Sequence, residues 1–509
     1  MSPENTNRPE IEEACGLTIS RRHLLQGAGW LLAGGAIWPA LAKAVEKATP
    51  PGTAPVISPV MEKLSTYMAA ACDRALPDEV VEKAKHHILD TLSAMISGSQ
   101  LPPGKLAIEF AQKYGGEKIA TVAASSLRCG PIEAALANGM LAHSDETDDS
   151  HAPSHCHPGC AIVPAALAAG EQFRISGTHF LRAVTLGYDI GPRVTMTLGG
   201  LPFKSPHDHM ATHCIATNFG ATAAAACAAA LDARQMRWVL DYAAQQASGT
   251  LAWQRDTEHI QKSLVFAGIG ARNGVTAALL VRMGGTGVDD ILSGDDNFLL
   301  AFAPKADANV LIEKLGERYE IARTNIKKWT VGSPIQAPLD ALEILMKNRP
   351  FAADQVKKVV VRLAINQGTI VDNRVIPDIC LQHMIAVMLI DRTVTFQAAH
   401  DKPRMQDPAV LRQRAKVQLV LDEELERRWP ARESIVTVTL ADGTELSHHV
   451  LAVRGTAENP MNREEVVEKC RDLVSPVLGA ATCKKLVAKI LELEKTNDIR
   501  EIGPLLQRT

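Results

Sequence analysis

Apolar positions recur at threes and fours through most of the first three hundred residues, and strictly alternating runs appear only later. The segment PDEVVEKAKHHILDTLSAMISG opens on Pro77, carries Asp78 and Glu79 where a helix amino end favours acids, and stops at Gly98, so it predicts a helix. Two later segments, GCAIVPAALAAGEQF and NFGATAAAACAAALDARQMRWVLDYAAQQASG, are dominated by small side chains with little β-branching. Helices with such faces approach closely, which predicts a tightly packed all-helical domain over 61–311. Near Lys314 the pattern changes. VKKVVVRLAI, AKVQLVLDEEL and IVTVTLADGTELSHHV read as strands, the last with a hairpin turn at Ala441-Asp442-Gly443-Thr444, and 381–390 reads as a helix between the first two. A smaller α+β lid is expected over 312–458. Helices over 459–509, starting at Asn462 or at Asn459-Pro460, are expected to dock back on the first domain. The fold class is therefore mainly α, a large all-helical domain plus a smaller α+β lid domain, with a cleft between them.

The first 42 residues leave this argument. Arg21-Arg22, the leucines that follow and a short apolar stretch ending at Ala40-Leu41-Ala42 look like a twin-arginine export signal, with a linker over 43–60. The expectation is a protein passed through the twin-arginine machinery to the periplasm, against the alternative of a cytoplasmic protein with an amphipathic or disordered tail. Ten cysteines without a CxxC pair suggest no disulfide framework, as suits a chain that folds before export. A net charge of -3 and 4% aromatic residues leave neither the basic field nor the stacking platforms that nucleic acid needs.

The chemistry is expected where polar density is highest. Between His143 and His157 the chain places four histidines and four carboxylates, in HSDETDDSHAPSHCH, next to apolar helices. Such a cluster is costly to bury without a purpose. Imidazole and carboxylate are suitable ligands for a divalent ion, but the spacing of His151, His155 and His157 is permissive, and the expectation is no metal. The glycine turns at Gly268-Ile269-Gly270 and Gly284-Gly285-Thr286-Gly287 lack the preceding strand that a dinucleotide or phosphate loop requires, and read as tight turns.

Six ordered blocks resemble the MmgE/PrpD family, whose members include 2-methylcitrate dehydratase and cis-aconitate decarboxylase. They are LPDEVVEKAKHHILDTLSAMISG, ALANGMLAHSDETDDSHAPSHCHPG, VTLGYDIGPRV, KSLVFAGIGARNGVTAALLVRMGGTG, IKKWTVGSPIQAPLDAL and LADGTELSHHVLAVRGTAENPMNREEVVEKC, and the match runs from about Leu64 to Lys469. The resemblance implies a homodimer with an active site between a helical domain and a lid, no metal or organic cofactor, and a small polycarboxylate as substrate. It implies that His157 is the catalytic base or acid, that Asp148 and Asp149 are the family's paired acids, and that Lys262 and Lys327 hold carboxylates, with Lys328 as the register alternative to Lys327. His143 matches the preceding family histidine, and His209 and His213 compete for a later one. Arg272 is a possible second carboxylate clamp.

Two departures stand out. Glu146-Thr147 replaces the usual aspartate-phenylalanine, and Gln336 stands where an ionisable donor is common, so Glu146 and Gln336 are expected to adjust what the cleft binds. The implied activity is a cofactor-independent, dehydratase-like lyase that takes a proton beside a carboxylate of a di- or tricarboxylate. A decarboxylase, an epimerase and a periplasmic carboxylate-binding protein without turnover are the alternatives.

Overall fold

The computed structural model describes residues 57–199, 212–303, 305–429 and 431–508. The export-signal expectation and His209 fall outside them. The protein is mainly α with a smaller α+β part. Two hydrophobic cores organise it. One gathers side chains from Met61 to Ile326 together with Met461 to Leu506, and the other runs from Trp329 to Val453.

The first core is built around the alanine helix Thr212–Ala228, whose residues 214–228 are all buried. Helices Gly177–Thr197, Ile269–Arg282 and Gly159–Phe173 pack against it. Small side chains permit this approach, and at several points only glycine does, most tightly at two. A Cβ on Gly191 would stand 2.3 Å from the Ala216 carbonyl oxygen, and one on Gly274 would stand 2.4 Å from the Ala221 carbonyl carbon. Each methyl removes little area from water, so cohesion comes from many close contacts between backbones and Cβ atoms. A polar seam joins this core to the chain on its way to the lid. Fully buried Arg193 donates to the carbonyls of Glu313 and Arg318 and lies 3.4 Å from Glu320, while Asp189 accepts from Tyr67 Oη and from the Glu320 amide.

A two-stranded hairpin, β1 (Ala120–Thr121) and β2 (Arg128–Cys129), lies in the helical body. The lid carries β3 (Val356–Ala364), β4 (Val417–Asp422), β5 (Ser434–Leu440) and β6 (Glu445–Val450), in the order β4-β3-β5-β6. β3 is parallel to β4, and their crossover includes helix Leu381–Asp391. The remaining pairs are antiparallel, and Gly443, with φ of 87°, turns β5 into β6. β5 alternates buried and half-buried side chains, and helix Ser333–Asn348 packs against β5 and β6. Helix Arg463–Leu478 starts at Asn462, whose side chain and that of Glu465 cap each other's backbone amides. It packs on helix Asp78–Gly98 in the first core, so the chain leaves the lid and returns to the helical body.

Candidate active site

The polar loop forms because helix Pro131–Ala142 ends at His143 and the next long helix does not begin until Gly159. Between them the backbone is held from several sides. Ser150 pairs with Asn325 in the chain approaching the lid, and Lys469 from the C-terminal helix donates to the Thr147 carbonyl at 2.9 Å while bonding Asp90 at 2.6 Å. Asp149 secures the far end. It accepts from the Gly159 amide at 3.0 Å, capping that helix, and from Tyr188 Oη at 2.5 Å, and it lies 2.8 Å from His87 Nδ1.

Asp148 faces the other way. Its two oxygens lie 2.9 Å from His143 Nδ1 and 3.3 Å from His157 Nδ1. His143 and Asp148 are fully enclosed, whereas the His157 side chain keeps 12% of its surface, so His157 is the member of this trio that a ligand can reach. Burial raises the tendency of Asp148 to take a proton, but the two imidazoles outweigh it and hold the carboxyl well below its usual range. Burial pushes His157 down from its ordinary value, with Lys327 acting in the same direction and Asp148 against it. A neutral His157 with Nδ1–H toward Asp148 presents Nε2 as the free atom.

Two ammonium groups complete the centre. Lys327 Nζ donates to the Glu146 carbonyl at 2.7 Å and lies 3.7 Å from Asp148 Oδ1 and 3.8 Å from Glu146 Oε2. Lys262 bonds Glu146 Oε1. Burial alone would raise the Glu146 carboxyl, but the two lysines hold it well below the normal range. Glu146 therefore fills, in the free protein, the place where two lysines would meet an external carboxylate. His143, Asp148 and His157 offer one ligand atom each within 4.8 Å of one another, so these atoms suit a small divalent ion as well as the His143–Asp148 hydrogen bond and the His157–Asp148 ion pair they show.

An aromatic wall encloses the lysines. Phe266 stacks on His213 at 4.2 Å and on His143 at 4.9 Å, and Trp253 meets its edge at 4.7 Å. Lys262 Nζ lies 5.2 Å from the ring centres of both Trp253 and Phe266. Sequence reasoning does not single out Trp253, Phe266 or His259, whose ring lies 5.3 Å from that of His143. The available signal was one of only six tryptophans lying nine residues before Lys262. Directly after Lys262 and Ser263 the helix widens into a π turn at Leu264–Gly268, a local irregularity that often accompanies function.

A second imidazole–carboxylate contact joins the loop to the lid. His400 Nε2 is 3.0 Å from Asp145 Oδ2 and 4.0 Å from Asp378 Oδ2. Burial lowers the proton affinity of His400, but Asp145 and Asp378 overcome it and raise the group to about 9.

Among the sequence candidates, His143, Glu146, Asp148, His157, Lys262, Lys327 and His213 lie in this one cluster, with Asp149 behind it at the helix cap. Arg272 and Gln336 do not join them. Arg272 is exposed on the outer side of its helix and bonds Asn273. Gln336 is buried and ties down the Trp329 and Val331 backbone. Lys328 turns away from Lys327 to pair with Glu343 at 2.5 Å. Of the two additional histidines, His151 joins Ser154 and Glu320 in the polar seam, and His155 packs against the lid at Trp429.

Residues 62–311 match the MmgE/PrpD N-terminal domain and residues 329–493 the MmgE/PrpD C-terminal domain. A cis-aconitate decarboxylase-like protein of Aspergillus oryzae is 26% identical over 85% of this chain and 94% of its own length. A cis-aconitate decarboxylase of Aspergillus terreus is 25% identical over 85% and 92%, and one of Homo sapiens is 24% identical over 85% and 91%. These relatives come from fungi and a mammal, whose cells have no periplasm, and this overturns the expected twin-arginine delivery to that compartment.

Proposed function

We propose that this chain, which belongs to the MmgE/PrpD family, is a carboxy-lyase that removes carbon dioxide from a tricarboxylate of the cis-aconitate type without a metal or organic cofactor. That it is an enzyme, a lyase of the dehydratase or decarboxylase kind acting on polycarboxylates, follows from the family and its relatives. The non-catalytic binding protein considered from sequence therefore gives way. The reading is carried by one observation: an accessible imidazole and two lysines surround the same pair of carboxylates, Glu146 and Asp148.

The chemistry needs charge neutralisation and one proton. In cis-aconitate the methylene-bound carboxylate leaves as carbon dioxide and its bonding pair becomes a new terminal double bond. The pair of the old double bond then takes a proton at the carbon bearing the other terminal carboxylate, giving methylenesuccinate. A trianion displacing Glu146 from Lys262 and Lys327 brings negative charge beside His157 and raises its proton affinity, so the imidazole takes up a proton as the ligand binds. Asp148 keeps the ring oriented and stabilises the imidazolium, and Nε2–H faces the reacting carbon. The lysines hold the carboxylates as charge moves toward that carbon.

The experiment is turnover of cis-aconitate in deuterated water, followed by carbon dioxide release and proton resonance. One solvent deuterium in the product methylene, at a rate unchanged by dialysis against a chelator, is expected. Absence of carbon dioxide release overturns the decarboxylase reading, and loss of activity on chelation overturns cofactor independence.

A dehydratase is the second reading, favoured by Asp378. Burial, with Glu146 and Asp145 adding to it, raises this carboxyl to about 7 against the pull of His400 and Lys262, which makes it an acid for a leaving hydroxyl. The two readings require opposite forms of His157. A decarboxylase loses kcat/KM as pH rises past the pKa of His157 in the free enzyme, which lies below about 6.5; a dehydratase loses it as pH falls past the same point.

A further inference from the structure

Among the described residues, one arginine on the lid side of the cluster has no counter-charge within ion-pair distance. Arg432 lies in the lid between helix Glu423–Glu426 and strand β5, and it makes no ion pair or side-chain hydrogen bond with any described residue. Its Nε is fully enclosed and unsatisfied. Its neighbour in sequence does not serve it, since Glu433 is taken by Arg428 at 3.0 Å and His449 at 2.7 Å. Arg432 is half-buried, so part of its guanidinium stays open to a ligand while the enclosed Nε carries a desolvation cost that an anion at the open edge would offset.

The surroundings place that anion at the cluster. Three residues before Arg432, Trp429 meets His155 edge-on at 5.1 Å. His155 holds a left-handed backbone with φ of 48°, a strained conformation for a non-glycine, and its buried Nε2 also lacks a partner. Trp429 thereby seats this part of the lid on the catalytic loop two residues from His157. Burial lowers Arg432 to about 10, and the carboxylate whose charge offsets this is Glu146, the one held by Lys262 and Lys327. Once a substrate displaces Glu146, the two lysines serve two carboxylates, the imidazolium of His157 stays paired with Asp148 and His400 with Asp145, and Arg432 is the cation left without a protein carboxylate.

We propose that Arg432 is the lid's carboxylate clamp, pairing with a third carboxylate of the ligand and so setting a preference for tricarboxylates over dicarboxylates. This rests on the polycarboxylate reading of the cleft and adds which residue counts the charges. A guanidinium fork matches a carboxylate at two points, and a site that desolvates such a donor disfavours any ligand that leaves it unpaired.

Calorimetry with two saturated, unreactive ligands tests it. Tricarballylate carries three carboxylates and glutarate has the same chain with two. In the full-length wild-type chain tricarballylate binds more tightly. Arg432→Gln is expected to reduce the affinity ratio between the two ligands at least tenfold, mainly through weaker tricarballylate binding, with Arg432→Lys falling between. A ratio within twofold of the wild type in both variants overturns the inference, including the case where a damaged fold weakens both ligands equally. If the unmodified chain binds neither ligand, the polycarboxylate reading itself fails and the clamp falls with it. If the unmodified chain binds both and only the ratio is insensitive to Arg432, the clamp alone is lost.

Discussion

The interface around helix Thr212–Ala228 and the centre around Asp148 are both deeply buried parts of the same helical body, yet opposite rules build them. The first is made mainly of methyl groups and backbone, its few polar side chains such as Asn218 and Thr222 bonded to backbone carbonyls, with no room for a Cβ at Gly191 or Gly274. The second encloses carboxylates, imidazoles and ammonium groups, several of whose polar atoms have no hydrogen-bond partner, among them His143 Nε2 and Asp148 Oδ1. Close packing leaves a region nothing to do except hold its shape. Partly satisfied polarity costs stability and leaves groups ready to act on something that arrives.

Mutations should separate the two. The largest effect is expected from His157→Ala, which should lower kcat by about a thousandfold while far-ultraviolet circular dichroism stays unchanged; turnover near that of the wild type would give the proton step to another group. Gly274→Leu should do the reverse. It forces a side chain into the Ala221 backbone, so denaturant titration should show a loss of more than about 3 kcal/mol, with the active fraction retaining its normal KM. His400→Gln should cost about 3 kcal/mol near pH 7, because it leaves Asp145 buried and unpaired. The sign with pH follows from the raised histidine. Its contribution is complete below about 6.5, where the unfolded imidazole is also charged, and fades as pH rises through about 9, so wild type and variant should converge in strongly alkaline solution. The smallest effect is expected from Glu146→Gln, which removes the internal competitor for Lys262 and Lys327 and should tighten a tricarboxylate about tenfold, or about 1.4 kcal/mol. Weaker binding would mean that Glu146 orders the lysines instead of occupying their ligand's place.

Much of this architecture could be read from the chain because its patterns are local. Alanine periodicity marks the helices, β-branched runs mark the four lid strands, and Asn462 with Glu465 marks the start of the C-terminal helix. The polar loop was visible because four imidazoles and four carboxylates crowd into fifteen residues. What each group does depends on neighbours distant in sequence. Asp148 and Asp149 are indistinguishable as letters, and they differ because Tyr188 and His87 wait on one side and His143 and His157 on the other. His400 and Arg432 lie in charged stretches, HDKPRMQD and DEELERRWPARE, that read as solvated surface, and only the fold brings them toward the loop. Arg272 is a different case. Two residues after Gly270 and two before Gly274, both of which face the central helix, it falls about 200° around the helix from each and must point outward.

The π turn at Leu264–Gly268 makes one rod serve two directions. Each residue of an ordinary helix advances the chain by about 100°, so a wide turn holding one extra residue resets the angular phase between Lys262 on one side and Gly270 and Gly274 on the other. Deleting a single residue there would let the rod wind regularly and swing the ammonium group away from Glu146, although every surviving amino acid kept its identity. Such a lesion is one of phasing, and it would sever binding from folding without altering a single functional side chain.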